Sequence, residues 1–170
     1  MNFGIIIPAY NEEKSIVLTL QSLINQSFVP YQIIVVDDAS TDNTAQLVSE
    51  MAVQHPQIQL VQRKEKGEHQ PGAKIVQTFN FGLPYLKKEV DVICKYDADL
   101  VFPINYFEVM NIHYTENQQL GMYGGFCYIK QGDAWVLENL TNKDHLRGAV
   151  KSYRKACFEV IGGLKTAMGW

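Results

Sequence analysis

The sequence predicts an α/β fold, with a mostly parallel central sheet flanked by helices in a single domain over residues 1–170. Three observations predict it. Short apolar runs at Phe3–Pro8, Gln32–Val36, Ile58–Gln62 and Asp91–Asp97 alternate with segments whose apolar residues recur at helical spacing. The resulting order β-α-β-α-β-α-β, with short connections, calls for parallel strands covered on both faces. The fourth run, Val92-Ile93-Cys94-Lys95-Tyr96, suits a strand buried in the middle of such a sheet.

Phe3–Pro8 reads as the first strand, stopped by proline. Ala9-Tyr10-Asn11-Glu12-Glu13 turns into a helix, with Asn11 as its expected N-cap and Glu12 and Glu13 in the first turn, where the helix dipole favours negative charge. Ile16, Leu20, Leu23 and Ile24 carry that helix, and Gln32–Val36 forms the second strand, ending in Asp37-Asp38. The cap-forming cluster Ala39–Thr44 opens a second helix through Val53, followed by a short, edge-like strand at Ile58–Gln62. A charged loop from Arg63 to Gly72 precedes a helix marked by Ile75, Val76, Phe79 and Leu83. After Asp91–Asp97 we expect a helix over Ile104–Tyr114, a strand over Gly121–Ile129, a turn at Lys130–Ala134 and a strand at Ala149–Tyr153. Ala156–Ile161 reads as a short helix ended by Gly162-Gly163.

With 46% hydrophobic and 19% charged residues in 170, the composition is that of an ordinary globular domain with a real core. A net charge of −3 argues against a nucleic-acid partner, which would select a basic surface. No apolar stretch reaches the ~20 residues of a membrane span, so no transmembrane segment is expected. Met1–Pro8 has no basic leader and too short an apolar run for a signal peptide, which predicts a cytoplasmic protein. Cys94, Cys127 and Cys157 are scattered without Cys-x-x-Cys spacing and read as free thiols in a reducing compartment.

The chemistry lies at the strand ends. Asp97-Ala98-Asp99 closes the fourth strand with two carboxylates, at the edge where open α/β sheets bind ligands. Hard oxygen ligands placed there suit Mg²⁺ or Mn²⁺ held together with substrate phosphates. Asp37-Asp38 at the second strand end could accept hydrogen bonds from a base imide or a ribose hydroxyl. Together these suit a nucleoside diphosphate carrying a leaving group. A Gly-x-Gly-x-x-Gly after the first strand and a P-loop are both absent, which excludes the common dinucleotide and triphosphate cradles.

Ile5–Glu13 and Ile33–Thr44 resemble the opening of family 2 glycosyltransferases of the GT-A (Rossmann-like) fold, and Asp97-Ala98-Asp99 falls where that family keeps its metal-binding Asp-x-Asp. Gly72–Gly82 resembles the family's helix between the third and fourth strands, while Gly148–Val150, Tyr153–Lys155 and Gly162–Leu164 resemble its acceptor-side segment. The resemblance implies a nucleotide-sugar-binding part over roughly 1–100 and the start of an acceptor-side part over roughly 101–170. It assigns Pro8, Ala9, Tyr10 and Glu12 to the base and ribose, Asp38 with Asp37 to a uracil-type base, and Lys66 or Arg63 to the diphosphate. Asp97 would meet the sugar or ribose, and Asp99 would bind Mn²⁺ or Mg²⁺. The implied reaction is inverting transfer from a UDP-sugar to a hydroxyl of a glycan or lipid-linked acceptor. Peripheral association with the inner face of a membrane stays open, because the family often works there. The family's carboxylate base would follow Met168-Gly169-Trp170, so it is expected beyond this chain, with transfer weak or absent in this form.

Blander readings stand beside these. Asp42 reads as a helix N-terminal acid, His69 as a solvated loop residue, and His113 and His145 as structural or exposed. The aromatic group over Tyr123–Tyr128 reads as core, Lys151, Arg154 and Lys155 as a solvated face, and Trp135 as a candidate acceptor contact. A non-catalytic nucleotide-sugar-binding module is the alternative function. A nucleotidyltransferase would need a glycine-rich basic loop where Pro8–Glu13 has neither glycine nor base, and a phosphoacceptor receiver would carry acids after the first strand.

Overall fold

The computed structural model describes residues 1–64, 73–138 and 146–165. Among these, β1 (Phe3–Ala9), β2 (Gln32–Asp37), β3 (Ile58–Gln62) and β4 (Val92–Tyr96) pair in parallel. β5 (Met122–Tyr123) joins the same sheet, β6 (Tyr128–Gln131) and β7 (Ala134–Leu137) form a separate hairpin, and β8 (Val150–Arg154) lies antiparallel to β4. The sheet order is β3-β2-β1-β4-β8-β5, a mostly parallel sheet with an antiparallel margin. Between the strands run α1 (Ile16–Ile24), α2 (Thr44–Gln54), α3 (Ala73–Gly82), α4 (Tyr106–Glu116) and α5 (Lys155–Val160).

Two-sided burial of β1 organises the core. Phe3, Ile5 and Ile7 face a cluster built with Ile16, Leu20 and Leu23 of α1, Val48 of α2 and Phe107, Met110 and Tyr114 of α4. Ile6, between them, faces the opposite cluster with Val76 and Phe79 of α3 and Phe158 of α5. All four β1 side chains are fully buried, each contributing roughly 2 kcal/mol by removal from water. No helix among the described residues is long and apolar enough to cross a membrane. Cys94 is buried and Cys127 and Cys157 are half-buried, all as free thiols.

The structure corrects several local expectations. Asn11 does not cap α1; it adopts a left-handed φ of 56°, and its Oδ1 accepts the Thr41 N–H at 2.8 Å. The helix starts only at Ile16, so Glu12 and Glu13 precede it, and the Glu13 carboxylate accepts the Asn43 N–H at 3.1 Å beside the start of α2. The strand expected over Gly121–Ile129 is broken between β5 and β6. Close approach there favours glycine: a Cβ on Gly124 would lie 2.5 Å from the Val150 carbonyl oxygen, and one on Gly125 would lie 2.9 Å from the Tyr106 ring. The expected turn narrows to Gly132-Asp133, with Gly132 at φ 61°, the glycine-first pattern of a two-residue hairpin loop. Phe126 and Tyr128 are 62% and 55% exposed rather than core.

The basic residues around β8 are not a solvated face either. Lys151 is buried, and the Lys155 ammonium donates to the Lys88 carbonyl at 2.9 Å. Arg154 donates to the carbonyls of Tyr114, Asn117 and Leu120 at 2.8, 2.9 and 3.0 Å, satisfying groups left open at the end of α4.

Gly82 marks where α3 crosses the sheet most closely: a Cβ there would meet Ile6 Cγ2 at 2.8 Å and Val36 Cγ2 at 2.9 Å. Gly82→Val therefore overpacks two stiff, buried β-branched side chains and should destabilise the domain by about 2 kcal/mol. Urea unfolding reads this as a lower midpoint at unchanged slope; an unchanged midpoint would show that α3 is free to move away.

Candidate functional site

The candidate site lies on the carboxyl edge of the sheet, where the chain departs from β1, β2 and β4. Pairing of β1 with β2 continues to Ala9 opposite Asp37, whereas pairing of β1 with β4 stops at Ile6 opposite Lys95. Beyond that point the chain after β4 keeps its contact with the β8 side alone, the Asp97 N–H donating to the Ala149 carbonyl at 3.0 Å. The strands thus part at the position where the order of connections reverses, which is where open α/β sheets form a ligand crevice.

One wall is the joined β1–α1 and β2–α2 loops. The Asn11 N–H donates to Ser40 Oγ at 3.0 Å, the Glu12 N–H to Thr44 Oγ1 at 2.8 Å, and the Glu13 N–H to Asp42 Oδ2 at 3.1 Å. Asp42 also accepts the Thr44 N–H at 3.0 Å, in keeping with its reading as a helix N-terminal acid. Desolvation would raise its carboxyl, but the Thr44 hydroxyl, which donates to Asp42 Oδ1, and these backbone N–H groups together hold it below the ordinary range. Ala39 shares the left-handed φ of 56° with Asn11, and such backbone in non-glycine residues persists where surrounding contacts enforce it.

Asp38 is the electrostatic centre of this wall. It is 3% exposed; its Oδ1 meets Arg63 Nη1 and its Oδ2 meets Lys74 Nζ, each at 2.9 Å. Arg63 Nη1 also donates to Thr78 Oγ1 at 2.8 Å, and its guanidinium lies 5.7 Å from the Phe81 ring centre. The Lys74 ammonium sits 4.4 Å from the Tyr10 ring centre, while Tyr10 itself is 44% exposed. The result is an open aromatic face beside a buried carboxylate flanked by two cations. Each carboxylate oxygen retains a second lone pair for a donor from a ligand.

The other predicted residues fall around this centre. Pro8 is half-buried and Ala9 buried, at the carboxyl end of β1. Glu12 Oε2 accepts Ser15 Oγ–H at 2.7 Å. Asp37 is buried and its Oδ1 accepts the Ser40 N–H at 3.3 Å, so it shapes the loop that presents Asp38. Arg63, the named alternative to Lys66, is engaged by Asp38; Lys66, His69, His145 and Trp170 lie outside the described residues. Trp135 is 67% exposed on the hairpin, and His113 is exposed with its ring stacked on Tyr123.

The opposite wall is the turn after β4. Thr19 of α1 donates its hydroxyl to the Ala98 carbonyl at 2.7 Å, which fixes the turn between the two acids. Asp97 is half-buried and paired with Lys95, while Asp99 is exposed. Cys127 at the base of the hairpin lies within their field. Burial pushes its thiol up, and Glu138, Asp97 and Asp99 act in the same direction against Arg147. Glu138 in turn pairs with Arg147 at 2.8 Å.

Among the described residues no group of three or more His, Cys, Asp or Glu converges as a closed metal site. The exposed Asp99 carboxylate beside Asp97 fits a hard divalent cation that takes its remaining ligands from phosphate oxygens and water. Sequence reasoning missed Lys74, Lys95 and the Glu138–Arg147 pair. Lys95 alone left a readable signal, a charge inside an otherwise apolar buried strand.

Residues 4–159 match the family model described as glycosyl transferase family 2. The chain is 27% identical over 177 aligned positions to an uncharacterized glycosyltransferase of Mycoplasma pneumoniae, an alignment covering 96% of this chain and 56% of that protein. Its fold is similar to that of a crystal structure of Staphylococcus aureus TarS, with a TM-score of 0.70 and 22% identity over 95% of this chain and 49% of that one. It is also similar to a mannosyltransferase from Pyrobaculum calidifontis solved with GDP-Man and Mn²⁺, with a TM-score of 0.74 and 21% identity over 99% of this chain and 48% of that one. The chain therefore spans about half the length of these relatives. The GT-A fold follows from the structural likeness, and the match over residues 4–159 places this chain in glycosyl transferase family 2.

Proposed function

We propose that this chain carries the donor site of a glycosyltransferase that moves a sugar from a nucleoside diphosphate, with UDP favoured, to an acceptor hydroxyl of a glycan or lipid-linked glycan. The observation that carries the reading is the pairing of two unlike walls on one sheet edge: Tyr10 with Asp38 on one side, Asp97 with Asp99 on the other. Family membership supports transfer chemistry, and the relatives solved with UDP-GlcNAc or with GDP-Man and Mn²⁺ support a nucleotide-sugar donor.

In this reading Tyr10 offers its exposed face to the base, and Asp38 accepts the base imide N–H. Pro8, Ala9 and Glu12 bound the ribose, Lys66 approaches the diphosphate, and Asp97 meets a ribose or sugar hydroxyl. Asp99 would hold Mn²⁺ or Mg²⁺, which when bound offsets charge on the departing diphosphate. In inverting transfer the acceptor oxygen attacks the anomeric carbon as the bond to the diphosphate oxygen breaks. The diphosphate leaves with the bonding electron pair, and the hydroxyl proton passes to a carboxylate base. No described residue is assigned as that base.

Calorimetric titration with UDP, GDP and dTDP, each with and without Mn²⁺, tests the reading: one nucleotide should bind, and more tightly with the metal. Absence of binding by all three would remove it. Asp99→Ala should abolish the metal-dependent part, about tenfold or more in Kd, with little change in unfolding midpoint. Asp38→Ala should behave differently. It leaves the largely buried Arg63 and Lys74 uncompensated, so thermal unfolding should register a loss of about 3 kcal/mol, and UDP affinity should fall with or without Mn²⁺.

A further inference from the structure

Lys95 stands inside β4 among the buried residues Ile93, Cys94 and Tyr96 and is itself only 7% exposed. A buried ammonium is unfavourable unless it is paired and hydrogen-bonded, and an aliphatic side chain would fill a strand interior without that demand. The demand is heightened because Lys151, also buried, lies directly opposite on β8. Like charges across a strand pair repel.

Lys95 meets the demand at the carboxyl end of its strand. Its ammonium pairs with Asp97 Oδ1 and donates to the Gly148 carbonyl at 2.9 Å. The Asp97 N–H donates to the neighbouring Ala149 carbonyl at 3.0 Å. Side chain and main chain together fasten Asp97 to the segment leading into β8. Asp99, two residues on, is exposed, and no described residue donates a hydrogen bond to its carboxylate.

We propose that Lys95 is a positioning residue that neutralises Asp97 and holds it in the seam between β4 and β8, leaving Asp99 as the uncompensated carboxylate of the two for a divalent cation. This inference rests on the role given to Asp99 in the proposed function. Its consequence is an order of assembly. A freed Asp97 beside Asp99 would form a dicarboxylate that takes up a cation unaided. With Asp97 compensated, the cation binds weakly alone and binds well only when a diphosphate supplies further oxygen ligands.

The test is a Mn²⁺ titration of the nucleotide-free protein, with free ion read by electron paramagnetic resonance. Lys95→Met, of similar length and uncharged, should bind Mn²⁺ about fivefold more tightly than the natural protein, and Lys95→Arg should restore the weak binding. A purely structural role for Lys95 would not tighten metal binding, so unchanged or weaker binding in Lys95→Met overturns the proposal. Should Lys95→Met fail to fold by circular dichroism, the double variant Lys95→Met/Asp97→Asn, which removes the ion pair whole, and the single variant Asp99→Asn decide. The first should stay within about twofold of the natural protein and the second should lose binding, whereas equal losses overturn the proposal. UDP titrated into the natural protein at saturating Mn²⁺ separates the two ideas. Absence of binding by UDP, and by GDP and dTDP under the same conditions, would remove the donor-site reading, while the Lys95 result is read on Mn²⁺ alone.

Discussion

The register of β1 between β2 and β4 is the constraint on which the rest of the molecule depends. Opposing Ile6 to both Ile34 and Lys95 sends one side of β1 into each apolar layer and brings three strand ends to one edge. A slip of one residue would exchange the faces of Phe3, Ile5 and Ile7 with that of Ile6, a change that two fully packed layers do not accommodate. The same register ends the β1–β4 pairing at Ile6 while the β1–β2 pairing runs on to Ala9, which parts the strand ends where open α/β sheets bind ligands. Core packing and site geometry therefore share one origin.

Along that edge the acids differ in how their charge is compensated. Asp38 meets two cations, Asp97 meets one, and Asp99 meets none among the described residues. A neutral, hydrogen-bonding end of a ligand would find a matched partner at Asp38, whereas an anionic end would meet Asp99 only through a divalent cation. The cations beside Asp38 are also anchored on rings, Lys74 on Tyr10 and Arg63 on Phe81, so aromatic surface and charge are held as one unit. Left-handed backbone at Asn11 and Ala39, with side chains reaching across from the facing loop, ties the two loops of that wall together.

Much of this was legible in the sequence because it is local. Continuous β-branched runs specify buried strands, and carboxylates just past such runs must emerge at the sheet edge, which is why Asp37, Asp38, Asp97 and Asp99 could be placed. What escaped is what depends on distant segments. Arg63 and Lys74 reach Asp38 only because β3 and α3 pack beside β2, and Lys95 finds Gly148 only because β8 returns antiparallel to β4. The helix start at Asn11 was misread for the same reason. Its side chain satisfies the neighbouring loop at Thr41 rather than its own helix, a choice that local cap preferences do not contain. Arg154 looked like surface because the helix end it closes lies about three dozen residues earlier in the chain.

The central claim is that two walls of one crevice take the two ends of a nucleoside diphosphate. A crystal structure of the protein soaked with UDP and Mn²⁺ tests it most directly. The account predicts the base against Tyr10 with its imide on Asp38, the diphosphate on the far side of the crevice, and the metal on Asp99 with Asp97 still paired to Lys95. A nucleotide bound away from the carboxyl edge of the sheet, or a metal held by Asp97 after it has left Lys95, would contradict it.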